Sequence, residues 1–321
     1  MLVTRPVPEG GLGRLRAACR TLEVLPESAA GDRAVLLSAI RGRDAIITEL
    51  NVRVDRAFLA AAAPTCRVLA NFGVGVDHID LAGAAEHGIV VTNTPDVLTD
   101  ATADLTWALM FAVARRVCEG HALVCSGAWS GWAPLQMLGA DVSGRRLGIV
   151  GAGRIGTAVG KRAIGFDMSL SYVSPRASPT LDRLGAVRVE LNECLSDSDF
   201  VTLHVPLTAT TRHMIGAEQL RRMRSTAFLI NTSRGPAVDE QALVEALRDG
   251  LIAGAGLDVY EFEPHPLPAL LALPNVVGLP HVGSATIQTR TRMAEMAAEN
   301  ALAVLESRPP PNPVSTAGHK P

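Results

Sequence analysis

The sequence predicts an α/β protein of two doubly wound parallel-sheet domains. Three observations lead there. Short apolar runs recur along the chain and alternate with stretches of helical periodicity, the pattern of strands joined by crossover helices. The runs are apolar almost throughout, which suits strands covered on both faces. The chain has 321 residues, 48% of them hydrophobic, enough for about two cores.

Taken in order, residues 1–4, 45–48, 68–71 and 89–92 are expected strands, with Ala-rich helices over 55–63 and 81–87 between them. A long helix is expected after Val97. Thr99, Asp100 and Asp104 supply caps and acids where its dipole favours them, and Arg115 and Arg116 lie near its end. Residues 119–141, with Trp129 and Trp132 in a Gly/Ser context, read as a loop with short helical pieces. Six further strands are expected at 146–151, 170–174, 200–205, 227–232, 253–259 and 276–279. The final helical stretch, 285–305, has no strand of its own in this set. It is expected to cross back, making the first domain discontinuous: 1–97 plus 284–321, with 98–283 as the second. The Pro-rich stretch 308–313 is expected to be extended.

Net charge is −2, without the basic excess of a nucleic-acid or anionic-membrane binder. The greasiest run, 105–114, is half the ~20 residues that a membrane helix needs. The first ten residues lack the apolar core of a signal peptide. Five cysteines (Cys19, Cys66, Cys118, Cys125, Cys194) stand singly, at no metal-ligand or disulfide-framework spacing. A cytoplasmic protein with reduced thiols and no metal is expected.

The strongest local motif is Gly151-Ala152-Gly153-Arg154-Ile155-Gly156, between an expected strand and an expected helix. In that context Gly151 permits the tight turn, Gly153 lets backbone approach a pyrophosphate, and Gly156 allows close helix–strand packing. The helix N-terminus then offers free N–H groups to phosphate. The second strand of such a unit ordinarily ends in a carboxylate that holds a ribose hydroxyl. Here the chain reads Ser174-Pro175-Arg176, so a 2′-phosphate meets a hydroxyl and a guanidinium instead of a repelling charge. NADP(H) is therefore expected in preference to NAD(H), with NAD(H) still possible.

Three residues past strand ends are candidates for catalysis. Arg234, in Asn231-Thr232-Ser233-Arg234-Gly235, can grip a carboxylate and polarise a carbonyl. Glu263, in Asp258-Val259-Tyr260-Glu261-Phe262-Glu263-Pro264, is an acid with Glu261 as its competitor. His281, in Pro280-His281-Val282-Gly283-Ser284, can transfer a proton near neutral pH. Together they suit hydride transfer to a 2-keto acid: His281 donates the proton, Glu263 favours the imidazolium, and Arg234 orients the substrate.

These stretches resemble the signatures of the D-isomer-specific 2-hydroxyacid dehydrogenase family, with its Arg, Glu, His order. Residues 71–80 (Asn-Phe-Gly-Val-Gly-Val-Asp-His-Ile-Asp), 94–104, 131–134 and 283–286 are most similar to the glyoxylate/hydroxypyruvate reductases within it. The resemblance implies a Rossmann-type nucleotide domain and a flavodoxin-like substrate domain with a cleft between them. It implies cofactor contacts from His204, Val205, Pro206, Thr211, Thr232, Ser233, Arg234, Asp258, His281 and Gly283, besides the glycine loop and Ser174-Pro175-Arg176. It implies substrate contacts from Leu50, Val74, Gly75, Arg234, His281 and Ser284, and from Trp132 reaching a neighbouring subunit of a homodimer. Pro175 departs from the family pattern at the ribose turn. The expected activity is reduction of glyoxylate or hydroxypyruvate to the D-2-hydroxy acid. A family enzyme for a larger 2-keto acid or phosphite, and a nucleotide-sensing corepressor-like protein, are the alternatives.

Overall fold

The computed structural model describes residues 1–29 and 31–315; the last six residues of the expected first domain, 316–321, lie outside the described residues. The chain divides into two units, residues 1–98 together with the chain from Ser284 onward, and Thr99–Gly283.

In the first unit, β1 (Leu2–Val3), β2 (Glu23–Val24), β3 (Ala45–Thr48), β4 (Val68–Asn71) and β5 (Val90–Thr92) pair in parallel in the order β2-β1-β3-β4-β5. Alternate side chains serve opposite faces. Ile46, Leu69 and Val91 join Phe58 and Leu59 on one side, while Ile47, Val68 and Ala70 join Leu12, Leu15 and Ala301 on the other. That second face is covered by the helices Glu9–Ala18 and Ile287–Leu305. They meet at glycine: a Cβ on Gly11 would lie 2.4 Å from the Ala294 carbonyl oxygen. The extended tail continues the sheet edge, with Val314 N–H donating to Val91 O at 2.8 Å. Buried Asn300 ties it down, donating to Asn93 O and accepting from Asn312 N–H.

In the second unit, the strands are β6 (Arg146–Val150), β7 (Ser169–Val173), β8 (Val187–Arg188), β9 (Phe200–Leu203), β10 (Phe228–Asn231), β11 (Gly254–Leu257) and β12 (Val276–Gly278). They form one parallel sheet in the order β12-β11-β10-β9-β6-β7-β8. The chain winds outward from β6 to β8, then returns to β9 on the other side of β6. The β6/β9 boundary is thus a topological switch point, where ligands of such sheets gather. The helix Thr99–Ala114 packs on this sheet, anchored by Trp107, which stacks on Phe166 and donates to Val159 O at 3.2 Å.

Two expectations need correction. Among the described residues the first sheet has five strands rather than four, and the second seven rather than six. The extra strands, β2 and β8, are two-residue edges, the first largely and the second wholly exposed, so they carry no apolar run to detect. The stretch expected as a loop with short helical pieces holds one such piece, the nine-residue helix Val117–Cys125, which starts two residues before it. None of its residues is buried, so it lacks the apolar stripe by which helices are read. Arg116 ends the long helix by adopting a left-handed φ of 52° and pairs with Glu119 of the next.

The crossing at Gly11 has no room for a side chain. Gly11→Ala should force the two helices apart and cost about 1–3 kcal/mol, read as a lowered urea midpoint. An unchanged midpoint would contradict the packing described.

Candidate active site

Parallel strands deliver their C-terminal residues to one edge of a sheet. In the second unit that edge receives Gly151 after β6, Ser174 after β7, His204 after β9, Thr232–Arg234 after β10, Asp258 after β11 and His281 after β12.

Gly151 has φ of 104°, and a Cβ there would lie 2.6 Å from the His204 carbonyl oxygen. Gly156 sits against the loop it follows, where a Cβ would fall 2.0 Å from Gly151 O. Gly153 has open space where its side chain would be. It starts the helix Arg154–Ala163 with no side chain capping the first N–H groups. Such a helix end favours an anion. His204, across the switch point, donates its backbone N–H to Val150 O at 2.7 Å. Both its ring nitrogens are buried and without partners, and burial pushes its pKa down to about 3. A neutral imidazole with unused hydrogen-bonding capacity beside an uncapped helix end fits a dinucleotide. The neighbouring loop closes on itself: Thr211 Oγ1 donates to Pro206 O at 2.6 Å.

The Ser174-Pro175-Arg176 turn is held by a residue that sequence reading missed. Arg188, on β8, donates from Nε to Ser174 O at 3.0 Å and from Nη2 to Pro175 O at 2.9 Å. At the far end of the turn the Tyr172 hydroxyl accepts from Ser178 N–H and donates to Asp182. Arg176 therefore rides on a loop clamped at both sides, with a second guanidinium beside it.

The three catalytic candidates share this edge. His281 Nδ1 lies 2.8 Å from Glu263 Oε2, and Glu263 Oε1 accepts the Tyr260 N–H at 3.0 Å. Burial pushes the Glu263 carboxyl up. The hydrogen bond and charge of His281, the Tyr260 N–H and the Arg234 charge outweigh it, leaving the carboxyl below its ordinary value of 4.5. Glu261, the competing acid, is engaged elsewhere: His213 Nε2 lies 2.5 Å from its Oε1. Arg234 donates from Nη1 to Ser233 O, while buried Asn231 donates to Arg234 O and accepts from the Ser233 N–H and hydroxyl. Gly235 brings this loop against the Glu263 loop, since a Cβ there would lie 1.8 Å from the Tyr260 backbone.

His281 has φ of 54°, a conformation unfavourable for a side-chain-bearing residue. Asp258 fixes it. Its carbonyl accepts the His281 N–H at 2.9 Å, and its carboxylate oxygens accept the Val282 and Gly283 N–H groups at 2.7 Å each. Burial raises the Asp258 carboxyl, opposed by those N–H groups and the His281 charge. From beneath, Thr106 meets Thr232 through their hydroxyls at 2.9 Å, and Thr102 donates to Gly283 O.

Leu50, Val74, Gly75 and Ser284 belong to the first unit. There, Asn71 donates to Gly73 O and Gly75 O, and Asn93 donates to Val74 O. With three successive carbonyls tied down, the N–H groups of this loop are its remaining polar contacts for a ligand. Leu50 is partly exposed. Trp132, in the second unit, follows Gly131 (φ 119°) and is 82% exposed. Asn71, Arg188 and Asn231 carry no sign of a role at the site in the sequence, because each acts by bonding the backbone of a loop.

A carboxyl held below its ordinary value binds its proton less tightly in the folded chain than in the unfolded one. Glu263 thus stabilises the fold fully above pH 4.5, and loses that contribution as pH falls through its lowered folded value. The stability gap between wild type and Glu263→Gln should shrink as urea midpoints are measured from neutral pH to about pH 3. A pH-independent gap would contradict the electrostatics.

Residues 107–283 match the family model of the D-isomer-specific 2-hydroxyacid dehydrogenase NAD-binding domain. The chain is 47% identical over 320 residues to a glyoxylate reductase of Thermococcus litoralis, covering 98% of this chain and 96% of that one. A crystal structure of a Thermus thermophilus protein superposes with a TM-score of 0.90 at 48% identity, covering 98% and 99% of the two chains. An NADPH-dependent glyoxylate/hydroxypyruvate reductase of Sinorhizobium meliloti, solved with NADP and malonate, superposes with a TM-score of 0.85 at 35% identity, covering 98% and 96%. The chain belongs to the D-isomer-specific 2-hydroxyacid dehydrogenases, a family of oxidoreductases.

Proposed function

We propose that this protein reduces a small 2-keto acid, glyoxylate or hydroxypyruvate, to the D-2-hydroxy acid, using NADPH in preference to NADH. The observation that carries the reading is the Glu263 Oε2–His281 Nδ1 contact at 2.8 Å, with Arg234 on the adjoining loop. The dihydronicotinamide supplies the hydride when bound. Glu263 commits Nδ1 of the imidazole, so Nε2 delivers the proton to the carbonyl oxygen. Arg234 orients the substrate carboxylate and stabilises charge developing on that oxygen. Val74 and Gly75 contribute N–H groups to the carboxylate, Leu50 and Ser284 add further substrate contacts, and Trp132 reaches the substrate of the neighbouring subunit of a homodimer. The names of the Thermococcus and Sinorhizobium relatives support this substrate class.

The glycine loop, His204 and the Thr232–Arg234 loop hold the dinucleotide. Asp258 acts on this reading chiefly by fixing His281. The preference for NADPH rests on Ser174, Arg176 and the adjacent Arg188, with no carboxylate in that turn. Along 117–138, the side chains of Val117, Val124, Trp129, Trp132, Leu135 and Leu138 are exposed. So many large apolar side chains exposed along one segment are what an association face offers, and we assign them to a second copy of the chain in a homodimer. Free cysteines fit a cytoplasmic enzyme. No helix among the described residues is long and apolar enough to cross a membrane.

The deciding experiment is steady-state kinetics over a panel of 2-keto acids, with phosphite and NAD(P)+ as a further arm. Highest kcat/KM with glyoxylate or hydroxypyruvate is expected; faster turnover of larger keto acids or phosphite reassigns the substrate. Cofactor binding without turnover favours a sensing protein. His281→Ala should lower kcat by about 10²- to 10⁴-fold, with NADPH affinity by fluorescence unchanged. Retained kcat would remove His281 from its role. Arg176→Ala and Arg188→Ala should each lower kcat/KM for NADPH by about tenfold, the loss of a charge-assisted hydrogen bond or its support, and leave NADH nearly untouched. Equal loss with both cofactors would contradict the assignment.

A further inference from the structure

We propose that Glu240 is a positioning residue for the Glu263–His281 pair. The inference rests on the reductase reading above and goes beyond it. Glu240 opens the helix Glu240–Arg248, and only 3% of it is exposed. A carboxylate so deeply buried must be satisfied by strong hydrogen bonds. Both of its bonds go to one loop: Oε1 accepts the Leu267 N–H at 2.6 Å and Oε2 accepts the Glu261 N–H at 2.8 Å. Those two amides bracket Glu263.

Inside the bracket, the His265 N–H donates to Phe262 O at 2.5 Å, and Glu263 Oε1 accepts the Tyr260 N–H. Glu261 to Pro264 form a turn, residues 265–267 have no regular structure, Phe262 is 53% exposed, and prolines at 264 and 266 remove two amide donors. Glu240 is itself anchored, since its N–H donates back to Glu261 Oε2 at 3.3 Å. Glu261 is held in turn by His213, whose N–H donates to Pro236 O beside the Arg234 loop. The groups around this clamp are Glu261, His213, Tyr260, Asp258, Glu263, His281 and Arg234. Satisfying the buried carboxylate therefore requires the loop geometry that brings Glu263 to His281 Nδ1. Misplacing a catalytic group by about 1 Å can cost 10²-fold in rate.

The test is a double-mutant cycle on the full-length protein with glyoxylate and NADPH. Glu240→Gln keeps the side chain's size but turns one acceptor into a donor facing an N–H. It should lower kcat by about 10- to 100-fold, with KM for glyoxylate and NADPH affinity by fluorescence each within about threefold, under the tenfold step of 1.4 kcal/mol. In a Glu263→Gln background the same change should lower kcat no further, because a positioning residue acts only through its target. A general structural role would lower kcat equally in both backgrounds and weaken NADPH binding as well. If Glu240→Gln does not fold, Leu267→Pro deletes the shorter bond from the donor side at a φ of −58°, which already suits proline; the same non-additivity is expected. Wild-type kcat in Glu240→Gln, or additive losses, overturn the inference while leaving the reductase reading intact. Wild-type protein that turns over no 2-keto acid overturns both.

Discussion

The hydrogen bond between Glu263 and His281 is the contact on which the proposed chemistry depends. An imidazole whose Nδ1 is committed to a carboxylate presents one nitrogen for proton transfer and cannot turn that nitrogen away without breaking the bond. The surrounding structure works to hold it. His281 sits in left-handed backbone geometry, which costs roughly 1–3 kcal/mol for a residue with a side chain. Asp258 offsets that strain with three hydrogen bonds to successive amides. Glu263 is set by the Tyr260 amide and by the loop that Glu240 closes.

These arrangements concentrate acids. Asp258, Glu240, Glu261 and Glu263 meet near the ends of β10–β12, with His213, His281 and Arg234 among them. They are distinguished by their partners. Glu263, beside His281 and Arg234, has its carboxyl held low, whereas burial raises that of Asp258. Pairs of titratable groups whose environments separate them in this way are the pattern by which a site assigns different roles to chemically similar side chains. Glu240 and Asp258 serve backbone geometry; Glu263 serves the imidazole.

Much of this was legible in the sequence because parallel strands announce themselves as apolar runs and end at functional loops. The glycine loop, Arg234, Glu263 and His281 could each be placed just beyond a predicted strand, and the structure puts those strand ends on one edge. What escaped had no local signal. β2 and β8 are two-residue, largely exposed strands, and the helix Val117–Cys125 buries nothing that would mark its bounds. Arg188 and Glu240 act on amides and carbonyls distant in sequence, so their roles exist only after folding; Asn231 acts within its own loop, on groups two and three residues away. Glu261 and Glu263 were indistinguishable as residue types two positions apart; the fold separates them by giving each its own histidine.

The most direct test is a long-range proton–nitrogen correlation spectrum of histidine-labelled protein across neutral pH, with the His281 ring assigned through a His281→Asn variant. The account predicts that the neutral His281 ring carries its proton on Nδ1, facing Glu263 Oε2, and leaves Nε2 directed at the substrate. A neutral ring that carries its proton on Nε2 would contradict it.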